Sequence, residues 1–313
     1  MEDYNFNQQK PDLIDEKQNN GLSLTIFSMT LFVLFFIVII DNDISFVMSI
    51  LIVLIIHELG HFIAMKFFKY KNVKMLFIPL MGAFVKGSRK KYSQKQSFIV
   101  AISGPFPGIV IGIIFMLYGS QIQSSMLLDL GMLFLILNII NILPLDPLDG
   151  GQMFKLFFRN KHELFLLIFS FISSISLILF GFILNNYIIM IFGFLMGFRV
   201  HSMQKRYQIH KQLKDLNVNY VTTYNSLRYS DFLKIKGILV ENTPSLKKYI
   251  NLLSEDQIDD IIANQVNNVL DVPIKTDASS FFKFIILITW ILLLVSPFLL
   301  FVSLDLEWYF SLV

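Results

Sequence analysis

Residues 51–65, LIVLIIHELGHFIAM, set His57, Glu58 and His61 inside an otherwise apolar run. Two histidines at i and i+4 project from one face of a helix, so their imidazoles can grip one metal ion. Glu58 lies beside the pair without being needed as a ligand, placed to take a proton from an attacking water and return it to a leaving amine. The chain has no cysteine, which excludes a thiolate nucleophile, a disulfide framework and Cys-ligated metal. A catalytic zinc site needs three protein ligands and an open position, so the third ligand has to be His, Asp or Glu. His162, His201 and His210 fall outside the apolar runs. Asp146 and Asp149, in 138–151 (NIINILPLDPLDGG), end another apolar run at matching depth. His57 is about 13 Å along a helix axis from Lys66, where its own run ends, so two parallel helices can bring both histidines and either aspartate together. Against this stand plainer readings. Two intramembrane histidines can pack or hydrogen-bond between helices. A His/Glu cluster can relay protons. An Asp pair beside Pro144 and Pro147 can simply end a helix in a turn.

The elements that must position these residues are membrane helices. The chain has 313 residues, 55% of them hydrophobic and only 16% charged, with 33 Phe, and a mean hydropathy of +0.63. That excludes a disordered chain, a basic DNA-binding domain and an ordinary cytosolic globule. Spans are expected at 22–40, 44–66, 97–118, 125–148, 164–183, 187–200 and 282–303, the sixth being short for a crossing. The run 72–87 is shorter still and broken by Pro79 and Gly82. It reads as a re-entrant or interfacial element whose backbone must be satisfied by protein or water. The fold class expected is therefore an all-α polytopic membrane protein of six or seven helices with a re-entrant hairpin and a small cytosolic helical segment.

Loop charge orients it. Lys66, Lys69, Lys71, Lys74, Lys86, Arg89, Lys90, Lys91 and Lys95 crowd one loop; Lys155, Arg159 and Lys161 mark the next on that side, and Arg199, Lys205 and Arg206 the third. The alternate loops 41–43, 119–129, 184–187 and 304–313 contain no Lys or Arg. The positive side is cytosolic, which puts the N-terminus in the cytosol and makes these bases membrane anchors rather than a nucleic-acid surface. Residues 1–20 read as a floppy polar tail without signal-peptide features. Residues 21–200 form the core, with the motifs inside 44–151. Residues 201–281 form a cytosolic helical region, with Thr243-Pro244 as a helix start, Leu246, Tyr249, Ile250 and Leu253 on one face, and Ser254 with Gln257 as a capping box. A C-terminal span follows at 282–303.

HELGH inside a span, followed by N-x-x-P-x-x-P-L-D-G-G at the end of another, resembles the site-2 protease family of intramembrane zinc metalloproteases. The resemblance covers roughly 44–151. It implies that His57, His61 and Asp149 bind Zn2+, that Glu58 is the catalytic base, and that Asn141 helps hold the substrate strand. FIPLMGAFVKG resembles the family's membrane-embedded hairpin, which implies an edge offered to an unwound substrate. This chain departs from the family at one motif: members often carry G-P-x-x-N on the next span, and Gly108 stands here in the Asn place. Asp146 is an additional acid.

The function expected is hydrolysis of peptide bonds in membrane-spanning proteins or peptides near the cytosolic face, as in regulated intramembrane proteolysis. The partners are then a transmembrane substrate, the bilayer and a regulatory membrane protein, with no nucleic acid. The Asn-, Ile-, Lys- and Phe-rich composition points to an AT-rich bacterial genome and hence a bacterial cell membrane. Two other readings remain at this stage: a catalytically silent protein of the same fold that escorts membrane proteins, and a transporter, which the scarcity of acids across several spans disfavours.

Overall fold

The computed structural model describes residues 10–13, 21–39, 44–79, 82–88, 92–158, 163–244, 246, 255–304 and 309. The chain divides into two compact units: one of residues 18–89, 93–197 and 276–313, the other of 1–17, 90–92 and 198–275.

The larger unit opens with helices α1 (Gly21–Ile39) and α2 (Ile44–Phe67). The chain then turns through Lys69, at φ 59°, into an antiparallel hairpin of β1 (Lys71–Ile78) and β2 (Gly82–Ser88). The run expected to be re-entrant is thus a β-hairpin, with Met75 opposite Val85 and Phe77 opposite Ala83. Gly82, at φ 85°, begins the return strand in a conformation that side chains resist. The outer edge of β1 is covered by α1. The Thr25 hydroxyl donates to the Met75 carbonyl at 2.6 Å, and the Phe77 amide donates to Ser28 Oγ at 3.2 Å. Phe32, Leu51 and Phe77 form the buried core between these elements.

Helices α3 (Gln94–Ser103) and α4 (Pro105–Gln121) follow as one apolar stretch broken at Gly104. Pro105 has no amide hydrogen to continue the ladder of α3 and starts a new helix at its first position instead. Ser93 caps α3, accepting from the Gln96 amide at 3.3 Å. Helix α5 (Ser125–Ile142) packs along α4. It stops six residues short of the expected boundary at 148, because the residue before a proline is driven to extended backbone. Leu143, preceding Pro144, has ψ 143°. The carbonyl left open at Ile142 accepts from Trp290 Nε1 at 2.7 Å. A turn then leads to α6 (Asp149–Phe157), α7 (Glu163–Ile183) and α8 (Tyr187–Asp215), which begins in this unit. A final helix (Ser280–Ser303) brings Ile286, Trp290 and Leu293 onto the same core as Phe98, Met116 and Leu135.

Among the described residues, five helical stretches are long and apolar enough to cross a membrane: Ile44–Phe67, Gln94–Gln121, Ser125–Ile142, Glu163–Ile183 and Ser280–Ser303. The protein is an integral membrane protein built from helices. The first expected span corresponds to the shorter apolar stretch Leu22–Val38. The sixth, 187–200, is the leading part of a 29-residue helix that continues into charged sequence.

The smaller unit is helical. It contains the rest of α8, a 3-10 turn (Tyr224–Ser226), α9 (Tyr229–Asn242) and α10 (Glu255–Val269). Leu213, Phe232, Ile235, Ile262 and Val266 form its core. Residues 10–13, expected to be floppy, are ordered against this core. Lys10 Nζ donates to the carbonyls of Tyr224 and Leu227, the Tyr224 hydroxyl donates to the Pro11 carbonyl at 2.7 Å, and Leu13 packs on the apolar cluster. Polar composition hid the order because main-chain carbonyls, not side chains, supply its partners. The helical face of Tyr249, Ile250 and Leu253, and Ser254 of the capping box, lie outside the described residues.

Candidate metal centre

The HELGH segment is in the C-terminal half of α2, where His57, Glu58 and His61 are all buried. Asp149 opens α6, and α6 can begin so close to the end of α5 because residues 150 and 151 have no side chains. A Cβ at Gly150 would lie 2.0 Å from the Ile142 carbonyl oxygen, and one at Gly151 2.3 Å from that of Leu145. Gly104 makes similar room on the other side, since a Cβ there would lie 2.2 Å from His61 Nε2. The glycines of both motifs are therefore spatial requirements of the site.

Three side-chain atoms converge. His57 Nε2 is 3.0 Å from Asp149 Oδ2, His61 Nε2 is 3.1 Å from the same oxygen, and the two Nε2 atoms are 3.2 Å apart. Ligand atoms about 2.0 Å from a tetrahedral zinc are roughly 3.3 Å from one another. The triangle is thus close to the size the ion requires, and this His/His/Asp group can hold a metal.

The tautomers agree with that reading. His61 Nδ1 is 2.7 Å from the Val100 carbonyl, which can only accept, so the ring proton sits on Nδ1. His57 Nδ1 is 2.7 Å from Asn138 Oδ1. Asn138 Nδ2 is committed to the Phe134 carbonyl at 2.7 Å, so its oxygen is the atom facing the ring. In the neutral rings both Nε2 atoms are then lone pairs that face each other and a carboxylate oxygen. In that form the three atoms together offer the donor set of a metal centre, with each imidazole oriented through its other ring nitrogen.

Glu58 is 4% exposed, and its Oε2 has no hydrogen-bond partner among the described residues. The Val85 backbone of β2 lies close to its carboxylate. A buried carboxylate oxygen left open beside a metal group is a place for a water or a transferring proton.

The other sequence candidates sit differently. Asp146 is turned away from the triangle: its Oδ1 meets Lys155 Nζ at 2.6 Å and Gln152 Nε2 at 3.0 Å, and its Oδ2 accepts from Ser170 at 2.6 Å. Asn141 is half-buried and donates to the Leu137 carbonyl of its own helix at 2.9 Å. His210 is buried in the smaller unit, with Nε2 2.7 Å from the Val269 carbonyl, and His201 is exposed. His162 lies outside the described residues. Sequence reasoning passed over Asn138. The signal was present in its being a second amide in the same apolar run as Asn141, in the turn of helix nearest the histidines.

A helical integral membrane protein with two buried histidines, a part-buried aspartate that meets them and a neighbouring open carboxylate is the class this molecule defines. The Peptidase family M50 model matches residues 45–129. A zinc metalloprotease of Methanocaldococcus jannaschii is 24% identical over 227 residues, covering 66% of this chain and 66% of that protein. Stage IV sporulation protein FB of Bacillus subtilis is 26% identical over 121 residues, 36% of this chain and 40% of that protein. The chain thus aligns with just under two thirds of the first relative and less than half of the second. Among solved structures, the site-2 protease from Methanocaldococcus jannaschii superposes with a TM-score of 0.44 at 20% identity, over 56% of this chain and 88% of that one. The matched stretch, which holds HELGH, is thus similar to the Peptidase family M50 model and to curated zinc metalloproteases.

Proposed function

We propose that this protein is an intramembrane zinc metalloendopeptidase that hydrolyses peptide bonds in membrane-spanning proteins or peptides near the cytosolic face of a bacterial cell membrane. In this reading His57, His61 and Asp149 hold Zn2+, Glu58 is the catalytic acid–base, and the core is residues 21–200 with its N-terminus and residues 201–281 in the cytosol. One observation carries the proposal: three metal-ligand atoms converge within 3.2 Å, next to a buried carboxylate oxygen that has no hydrogen-bond partner among the described residues.

Zinc bound there would polarise a peptide carbonyl and lower the pKa of water toward neutrality. The chain's own residues do the rest. Glu58 Oε2 takes a proton from the attacking water as the new C–O bond forms, and delivers it to the amide nitrogen as the C–N bond breaks. The Val85 backbone lies close to the carboxylate meanwhile. A substrate helix has to unwind first, because its carbonyls are otherwise engaged in its own hydrogen bonds. β2 supports a place for it. Met75 and Phe77 turn their backbone groups outward to α1, so their partners Val85 and Ala83 turn theirs to the opposite edge, the edge on which Val85 reaches Glu58. An extended segment added along that edge would lie beside the acid–base group. Asn141, half-buried one turn from Asn138, is proposed to hold that segment from the far side.

The test is Glu58→Gln in the purified full chain and in cells, against single-span substrates carrying helix-breaking residues. Cleavage should fall by at least about 100-fold, with zinc retained. Undiminished turnover would remove Glu58 from its role. Full biological function in a strain making only the Gln variant would favour the escort reading.

A further inference from the structure

The two histidines are oriented by different means. His61 is aimed by a backbone carbonyl, Val100, which no side-chain substitution removes. His57 is aimed by a side chain, Asn138, which comes from a different helix and has no exposed surface. The carboxamide is held at both ends. Its Nδ2 donates to the Phe134 carbonyl one turn back on α5, and this commits Oδ1 to His57 Nδ1. Fixing the proton on Nδ1 leaves Nε2 as the lone pair that faces Asp149.

The space for this carboxamide is supplied by α4. A Cβ at Gly108 would stand 2.1 Å from Asn138 Nδ2, 2.4 Å from Cγ and 2.5 Å from Oδ1. The volume that a side chain at 108 would enter is already filled by the amide of residue 138. Only one of the two positions can carry a side chain there.

We propose that Asn138 is the positioning residue that fixes the tautomer and aim of His57, and that Gly108 and Asn138 form a reciprocal pair in which one carboxamide, entering from either helix, serves the same histidine. This rests on the metal site proposed above and adds to it the residue on which the site's His57 arm depends.

The experiment measures zinc retention by the detergent-purified full chain across a chelator series, and the visible spectrum of the cobalt-loaded protein, which reports ligand geometry independently of turnover. Asn138→Leu keeps the volume but cannot accept a hydrogen bond. It should lower zinc affinity by about 10- to 100-fold and shift the cobalt bands. Asn138→Asp, which can accept, should recover most of the affinity. Gly108→Asn alone should also weaken binding, because two side chains compete for one space. Gly108→Asn combined with Asn138→Gly should recover affinity to within a few fold and restore the cobalt bands. Because the double variant is expected to regain binding, a loss in the single variants through misfolding cannot imitate the result. Wild-type affinity and spectrum in Asn138→Leu would overturn the positioning role. A double variant no better than either single would overturn the reciprocity. His61→Ala and Asp149→Ala run alongside: a wild-type protein that binds zinc no better than they do overturns the metal reading and this proposal with it, whereas zinc lost in those two and kept in Asn138→Leu overturns this proposal alone.

Discussion

Asp146 and Asp149 are three residues apart in one turn, and the fold surrounds them in opposite ways. Asp146 is 3% exposed and fully engaged: a lysine ammonium at 2.6 Å, a glutamine amide at 3.0 Å and a serine hydroxyl at 2.6 Å meet its two oxygens. Asp149 has a fifth of its side chain exposed and turns Oδ2 to two imidazole nitrogens, each oriented through its own Nδ1. A carboxylate with a cation and two donors already in place is poorly available to a metal ion. One that shares a single oxygen with two imidazole nitrogens completes a set of three metal-ligand atoms. The same residue type therefore fixes the turn in one position and offers a metal ligand in the other.

The largest effect that can break this comparison is on metal. Asp149→Ala removes one of three ligands, and zinc content after chelator challenge should fall to background, with the affinity lowered by more than the roughly 100-fold that an outer-shell change costs. Asp146→Ala should keep about one zinc per chain. Elemental analysis of the two proteins side by side checks it. Zinc kept without Asp149 and lost without Asp146 would exchange the two roles.

The second effect is on stability, and its direction is opposite. Lys155 is 14% exposed and pairs with Asp146 at 2.6 Å. Asp146→Ala leaves that ammonium half-stranded in a low-dielectric place and should destabilise the protein by about 3 kcal/mol. Asp146→Leu together with Lys155→Met removes both charges and should recover most of the loss, since an apolar pair of similar volume avoids the desolvation cost. Chemical denaturation in detergent reads both. A double variant as unstable as the single would mean that the turn is held by something other than charge pairing.

These surroundings also mark how far the sequence could be read. His57, Glu58 and His61 announced themselves because ionisable groups are costly inside an apolar run. The L-D-G-G pattern distinguished Asp149 from Asp146 only by resemblance. The physical reason for the difference lies in Lys155, on the next helix, and Ser170, on the one after, and no periodicity connects either to Asp146. The helices were legible from hydropathy, but their ends were not always so. The run to 148 looked continuous because Leu143, Leu145 and Leu148 are as apolar as the helix before them, while Pro144 ended the helix at Ile142. The hairpin read as a broken run because its two strands are short, and its pairing depends on partners 4 to 17 residues away along the chain. Asn138 was invisible for a related reason. Its meaning is a hydrogen bond to a residue on another helix and a space left by Gly108 on a third.

The smallest effect tests whether the two carboxylates are truly separate. Ser170, on α7 and 2% exposed, donates to Asp146 Oδ2. Ser170→Ala deletes one hydrogen bond to a charged acceptor while leaving the lysine in place, so the cost should be about 1.5 kcal/mol, half that of losing Asp146 itself. Zinc affinity should stay within about two-fold of wild type, well short of the 10-fold that marks an outer-shell partner. If it falls 10-fold instead, Asp146 and its serine are holding the turn in the register that aims Asp149. The two acids would then act as one lever, with α7 packed against the metal centre's support rather than standing apart from it.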